Sequence, residues 1–364
     1  MELIQPNKHQ NLYGHESLEK EFINLWEKNS FPHAIILSGQ KGVGKATLAF
    51  KISRFILSKN GEIEDKNYSL LLNETKSSNN LNIDIDSIIF KEIYNNVNQN
   101  LIILEQKTDD ETSSSNEIIV DEIRKLKLFF ERKSINMNWR IAIIDSVDDL
   151  NINASNALLK ILEEPPEKSL IILISHAPGN LLKTIKSRCV EFKLKSLNFC
   201  NFKKILSTVK SDLKDYEVEY LGTLTNNRPG YSIQIIERNG IEIYNQMLKI
   251  FNEMPQFNIE MLNKLDVLVN KRNNINSYNI LINLINGFIH RAILHIYNIE
   301  RNKNIEFFDD EIQIFNNLFN EDNIINVINT WFSSKDIIDK AEIFNLNKKS
   351  VLFDFFAEFS NCLK

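Results

Sequence analysis

Lys45 follows three glycines, Gly39, Gly42 and Gly44, in the stretch SGQKGVGKATLAF at 38–50. Glycines at this spacing let successive backbone N–H groups curl around phosphate oxygens. The start of a helix adds a favourable dipole, and the lysine ammonium reaches the outer phosphates of a nucleoside triphosphate. The next position should carry a hydroxyl to hold Mg²⁺, and it is Ala46. Thr47 stays among the nucleotide-binding candidates, but one residue further along a helix points about 100° further round the axis. It does not replace the missing hydroxyl.

Hydrolysis of a bound triphosphate needs a second element, an acid at the end of another strand that supports the metal, usually followed by a glutamate that activates water. The stretch IAIIDSVDDL at 141–150 supplies Asp145 as the metal-supporting acid and Ser146 in the glutamate position. A serine hydroxyl is a poor general base at neutral pH. Asp148 and Asp149 read as solvated loop or helix-start residues. With both elements defective, efficient hydrolysis is not expected: no cofactor is required, and binding of ATP and Mg²⁺ is expected to be weak.

Arg188, in the triplet Ser187-Arg188-Cys189 at the mouth of an apolar run, has two readings. It is either a plain surface charge or a guanidinium directed at the γ-phosphate held by a neighbouring subunit.

These residues need a frame. Short apolar runs at 34–38, 101–104, 141–144, 170–174 and 189–194 have the Ile, Val and Phe bias of buried parallel strands. Helical patterns lie between them at 45–57, at 120–131 with Val120, Ile123, Leu126 and Phe130 on one face, and at 153–163 with Ala154, Ala157, Leu158, Ile161 and Leu162. Pro165 and Pro166 stop the last of these. Alternating strands and helices predict an α/β domain with a parallel sheet. Residues 58–118 hold a polar insert whose NETKSSNNLN and KTDDETSSSNE parts read as surface loops. Beyond about residue 195 the pattern is helical throughout, with turns at 226–230 and 239–240.

Bulk properties narrow the class. The chain has 364 residues, 43% hydrophobic and 25% charged, and fits two or three packed units. Its longest apolar runs fall far short of the ~20 residues of a membrane span, and MELIQPNKHQ has no signal-peptide character, so a cytoplasmic location without membrane association is expected. A net charge of −5 argues against wrapping nucleic acid unaided. Cys189, Cys200 and Cys362 form no C-x-x-C pair, so neither disulfide nor zinc is expected.

The glycine loop, NALLKILEEPP at 156–166, the SRC triplet and their order resemble the bacterial clamp-loader branch of the AAA+ proteins, as do FPHAIILSGQKGVGKATLAF and IIVDEIRKLKLFFERK. The likeness spans roughly residues 10–195 and is thinner beyond, although FNLNKKSVLFDFF at 344–356 is similar to the branch's last helical region. It implies an AAA+ P-loop domain over 1–195, a small helical lid over 196–239 and an all-α collar domain over 240–364. It further implies a ring of five with ATP-hydrolysing gamma/tau subunits and a delta subunit, acting on a sliding clamp and primed DNA, with Arg188 completing an adjacent site as an arginine finger. Three departures stand out. No cysteines lie between Lys45 and Asp145, so the zinc site of many members is not expected. The lid position of a nucleotide-sensing arginine falls on Gly230 or Tyr231, with Arg228 out of register. The polar sensing residue after the fourth strand is Ser175 or His176. The rival readings are an active AAA+ ATPase such as gamma/tau and, from another class, a P-loop kinase.

Overall fold

The computed structural model describes residues 5–59, 80–105, 118, 120–131, 138–256, 258–270, 277–297, 308–343 and 346–363. Five parallel strands, β1 (Ala34–Ser38), β2 (Leu101–Glu105), β3 (Arg140–Asp145), β4 (Ser169–Ser175) and β5 (Val190–Lys193), form one sheet in the order β2-β3-β4-β1-β5. The register runs Ala34↔Ile171 through Ser38↔Ser175 between β1 and β4, and Leu101↔Ile141 through Glu105↔Asp145 between β2 and β3.

Alternation along the strands divides the core in two, because successive side chains point to opposite faces. Ile35, Leu37, Ile141, Ile143, Leu170 and Ile172 join α1 (Glu16–Glu27) and α2 (Lys45–Ser58), while Ala34, Ile36, Ala142, Ile144, Ile171 and Leu173 join α4 (Val120–Glu131), α5 (Ile152–Glu163) and α6 (Lys183–Lys186). Both faces are covered, so the central strands β1, β3 and β4 are apolar along their interiors, whereas the edge strand β5, VEFK, buries only Phe192 among polar neighbours. The strand and helix runs expected from sequence agree with these elements to within a residue or two. Within the insert lie α3 (Ile88–Tyr94) and β2; most of NETKSSNNLN and all of KTDDETSSSNE fall outside the described residues.

The rest is helical: α7 (Phe199–Val209), α8 (Asp215–Thr225), α9 (Pro229–Glu237), α10 (Gly240–Asn252), α11 (Ile259–Val269), α12 (Ser277–Ile296), α13 (Asp309–Leu318), α14 (Ile324–Ile343) and α15 (Lys348–Cys362). The chain divides into two compact units, Met1–Asp212 with Arg228–Gly230, and Leu213–Asn227 with Tyr231–Lys364. In the second unit Phe251 stacks on Phe288 with ring centroids 4.6 Å apart and meets Phe359 edge-on at 5.3 Å. Beside this aromatic core, Arg291 of α12 contacts both Glu311 carboxylate oxygens at 3.1 Å through Nε and the Tyr244 hydroxyl at 2.8 Å through Nη2, while Tyr244 donates to Glu311. Nothing in the sequence pattern pointed to this buried triad. No helix among the described residues is long and apolar enough to cross a membrane.

Candidate functional site

The glycine loop runs from the end of β1 into α2. Gly39 takes φ +147°, and a Cβ there would lie 2.4 Å from the Leu194 carbonyl oxygen; Gly44, at φ +103°, is the N-cap of α2. Both positions need glycine, the first for space and the second for its left-handed backbone. Gly42 lies between them at φ +87°. The turn is held from outside by Gly39 N to Ser175 O at 3.2 Å and by His15 Nε2 to Val43 O at 3.0 Å.

Lys45 is buried and turns back onto its own loop, donating from Nζ to Gly39 O at 2.5 Å and Gln40 O at 2.7 Å. Burial lowers its pKa to about 8, and the neighbouring Lys41 and Arg228 act in the same direction, while Asp145 and Asp148 oppose them. Ala46 packs with the core on the α2 face of the sheet and offers no oxygen. Thr47 is half-buried in the next position of the helix.

Asp145 ends β3, where burial raises its carboxyl to about 6 against the pull of Lys45; Glu105 pushes the same way as burial. The loop and the strand end are therefore brought into one electrostatic neighbourhood. Ser146 is buried and committed to its own turn, accepting from Asp148 N and bonded through Oγ to Asp148 Oδ2, both at 3.2 Å.

Asp148 lies in the first turn of the short helix Val147–Asp149, in keeping with the helix-start reading, and is not a solvated loop residue. Its carboxylate accepts from Ser175 Oγ at 2.9 Å, His176 N at 2.5 Å and Ala177 N at 3.4 Å. The carboxylate satisfies backbone donors that the end of β4 would otherwise leave open. The signal available in the sequence was only an acid three residues after Asp145. His176 reaches the same neighbourhood; burial lowers its pKa to about 4, with Lys45 and Lys41 adding to the effect, so the imidazole is neutral there.

The lid position contains no arginine. The segment Arg228–Gly230 belongs to the same compact unit as the glycine loop, and Gly230 donates its N–H to Gly42 O at 2.9 Å. A Cβ on Gly230 would come within 2.9 Å of the Gly42 Cα.

Arg188 lies away from this cluster, between α6 and β5. Its Nη2 pairs with Glu163 Oε1 at 2.7 Å and its Nη1 donates to Thr184 O at 2.9 Å, with the side chain 33% exposed. The structure thus brings the loop, Lys45 and Asp145 together and leaves Arg188 at a separate surface. Among the described residues no group of three or more His, Cys, Asp or Glu is placed to hold a metal ion.

A parallel sheet in this order, with a glycine loop leaving its first strand and an acid ending the strand two places away, defines a P-loop domain of AAA+ type followed by helices. Residues 14–198, just over half the chain, match the family model described as DNA polymerase III, delta subunit, and the chain belongs to this family, within the clamp-loader group. Among curated relatives, DNA polymerase III subunit tau of Bacillus subtilis is 28% identical over 196 residues, covering 54% of this chain and 30% of that protein. Subunit gamma of Buchnera aphidicola subsp. Schizaphis graminum is 26% identical over 319 residues, 80% of this chain and 79% of its own. Subunit delta' of Pseudomonas aeruginosa is 43% identical over 74 residues, 20% and 23% of the two chains. The match thus spans less than a third of the tau and delta' relatives.

Proposed function

We propose that this chain is a delta-prime subunit: a member of the clamp loader that supports ring assembly and completes a neighbour's ATP site while its own site is silent. The observation that carries the reading is the coincidence of two emptied catalytic positions, Ala46 and Ser146, with a surface arginine held in a defined orientation at Arg188. The first two remove the metal hydroxyl and the water-activating carboxylate from this chain's own loop. The third keeps the one group a neighbour can use.

On this reading residues 196–239 act as a lid and 240–364 as a collar joining five subunits. The partners are gamma/tau and delta, and through them the sliding clamp and primed DNA, in the cytoplasm. Gly39, Gly42, Gly44, Lys45, Thr47 and Asp145 form a vestigial nucleotide site needing neither ATP, Mg²⁺ nor zinc. Arg188 stabilises charge developing on the γ-phosphate next door, an effect worth about 10³-fold or more at an arginine-finger site.

The test is reconstitution with gamma/tau and delta, comparing the wild type with Arg188→Ala. The expected result is normal assembly and reduced hydrolysis stimulated by DNA and clamp. Unchanged hydrolysis overturns the finger role. ATP turnover by the purified chain, abolished by Lys45→Ala, would instead establish the active-ATPase reading.

A further inference from the structure

Glu163 is the last residue of α5, and Glu164 and the prolines 165–166 follow it. A carboxylate there is in the wrong place for the helix, since the C-terminal end carries partial negative charge and favours cations. The chain nevertheless places two glutamates at that end. One of them meets Arg188, 25 positions along the chain, at 2.7 Å.

The approach is set by packing. Leu158, Ile161 and Leu162 of α5 share a core cluster with Leu181 and Ile185 beside and within α6, so the end of one helix and the turn after the other have fixed positions. The turn is itself closed by Arg188 N to Ile185 O at 3.1 Å. The guanidinium is then held at both tips, Nη2 by Glu163 and Nη1 by Thr184 O at 2.9 Å, with Ser187 Oγ at 3.4 Å.

This pair does little for stability. Its side chains are 33% and 50% exposed, and such surface pairs contribute about 0–1 kcal/mol. Its effect is on orientation. A guanidinium has five N–H donors; the contacts at the two tips leave Nε and the second Nη2 proton for an incoming oxyanion. A long side chain that would otherwise sample many rotamers is presented in one, and the entropy of ordering it is met before a partner arrives.

We propose that Glu163 is a positioning residue for Arg188, fixing its guanidinium so that the remaining N–H donors face the triphosphate of a neighbouring subunit. The proposal rests on the arginine-finger reading above. Glu163 touches no phosphate itself; it acts through Arg188 alone.

The experiment is single-turnover ATP hydrolysis by the reconstituted ring with primed DNA and clamp. It compares wild type, Arg188→Ala, Glu163→Ala, Glu163→Gln, Glu163→Lys and the double variant Glu163→Ala/Arg188→Ala. Glu163→Ala slows the hydrolysis phase that depends on Arg188 by about 3- to 10-fold at unchanged KM for ATP, a loss confined to the transition state. Glu163→Gln keeps an acceptor oxygen and stays within about twofold of wild type, while Glu163→Lys repels the guanidinium and approaches the Arg188→Ala rate. The double variant is no slower than Arg188→Ala, because residues acting as one unit are not additive. Wild-type rates in both Glu163→Ala and Glu163→Lys beside an impaired Arg188→Ala, or losses that add in the double variant, overturn the positioning role and leave the finger intact. Wild-type rates in Arg188→Ala overturn both.

Discussion

Asp148 accepts the Ser175 hydroxyl at 2.9 Å, joining the turn after β3 to the end of β4 through its carboxylate. Since the same carboxylate also holds the His176 N–H, Asp148→Ala strands several donors at once. Hydrogen bonds to a charged group contribute about 1.5–3 kcal/mol. The expected outcome is a lowered thermal midpoint for the P-loop unit, read by circular dichroism, with Asp148→Asn losing less because it keeps one acceptor. An unchanged midpoint in Asp148→Ala would show that water replaces the carboxylate without cost.

Two buried groups at the site give opposite pH signatures. Asp145, raised to about 6 from 3.8 by burial, binds its proton more tightly folded than unfolded, so its contribution makes stability fall as pH rises from about 4 to 6. His176, lowered to about 4 from 6.5 by burial, does the reverse: the unfolded state takes up the proton first, and stability is lost as pH falls from about 6.5 to 4. In wild type the two largely offset each other. Asp145→Asn exposes the histidine slope and His176→Asn the aspartate slope, each on the order of 3 kcal/mol across its window. Thermal midpoints relative to wild type at pH 4, 5, 6 and 7 check this, and parallel profiles for all three proteins would refute it.

The Tyr244–Arg291–Glu311 triad gives a third expectation, in the helical unit. Glu311 is fully buried and Arg291 nearly so. Removing one partner of such a pair leaves a buried charge without compensation, at a cost of about 3–5 kcal/mol. Glu311→Ala is therefore strongly destabilising. Glu311→Leu combined with Arg291→Met recovers part of the loss, because well-packed apolar replacements of a buried pair are often neutral or stabilising, while the buried Tyr244 hydroxyl, left without both partners, keeps the recovery incomplete. Chemical denaturation of the two variants decides it; a double variant no better than Glu311→Ala would contradict this account.

A single methyl group tests the contact between the lid position and the glycine loop. With its Cβ 2.9 Å from the Gly42 Cα, against backbone rather than a flexible side chain, Gly230→Ala forces one segment to move. Overpacking of this kind costs about 1–3 kcal/mol, and the thermal midpoint falls accordingly. Gly179, with open space around its Cβ position, is the control: Gly179→Ala leaves the midpoint within a degree.

Much of this was legible in the sequence because it rests on local pattern. Strands such as LIILI at 170–174 are apolar without interruption since both faces are covered, and the glycine spacing before Lys45 has few other uses. What escaped is what depends on pairing at a distance. Nothing adjacent to Glu311 marks it as the partner of Arg291, and nothing near Glu163 names Arg188. The SVDD segment reads as a polar turn because the donors that Asp148 satisfies belong to another strand. Gly230 looks like an ordinary helix-start glycine until Gly42 is placed against it.

The Gly230–Gly42 contact restricts position 230 in a way that nothing restricts position 46. Ala46 and Ser146 are single substitutions away from useful chemistry, and a lineage could regain either. An arginine at position 230 is another matter, since the first carbon of any side chain there meets backbone at 2.9 Å, whereas Tyr231, the alternative register, already carries a side chain. Position 230 is thus closed to side chains by its own backbone neighbour unless one of the two segments shifts.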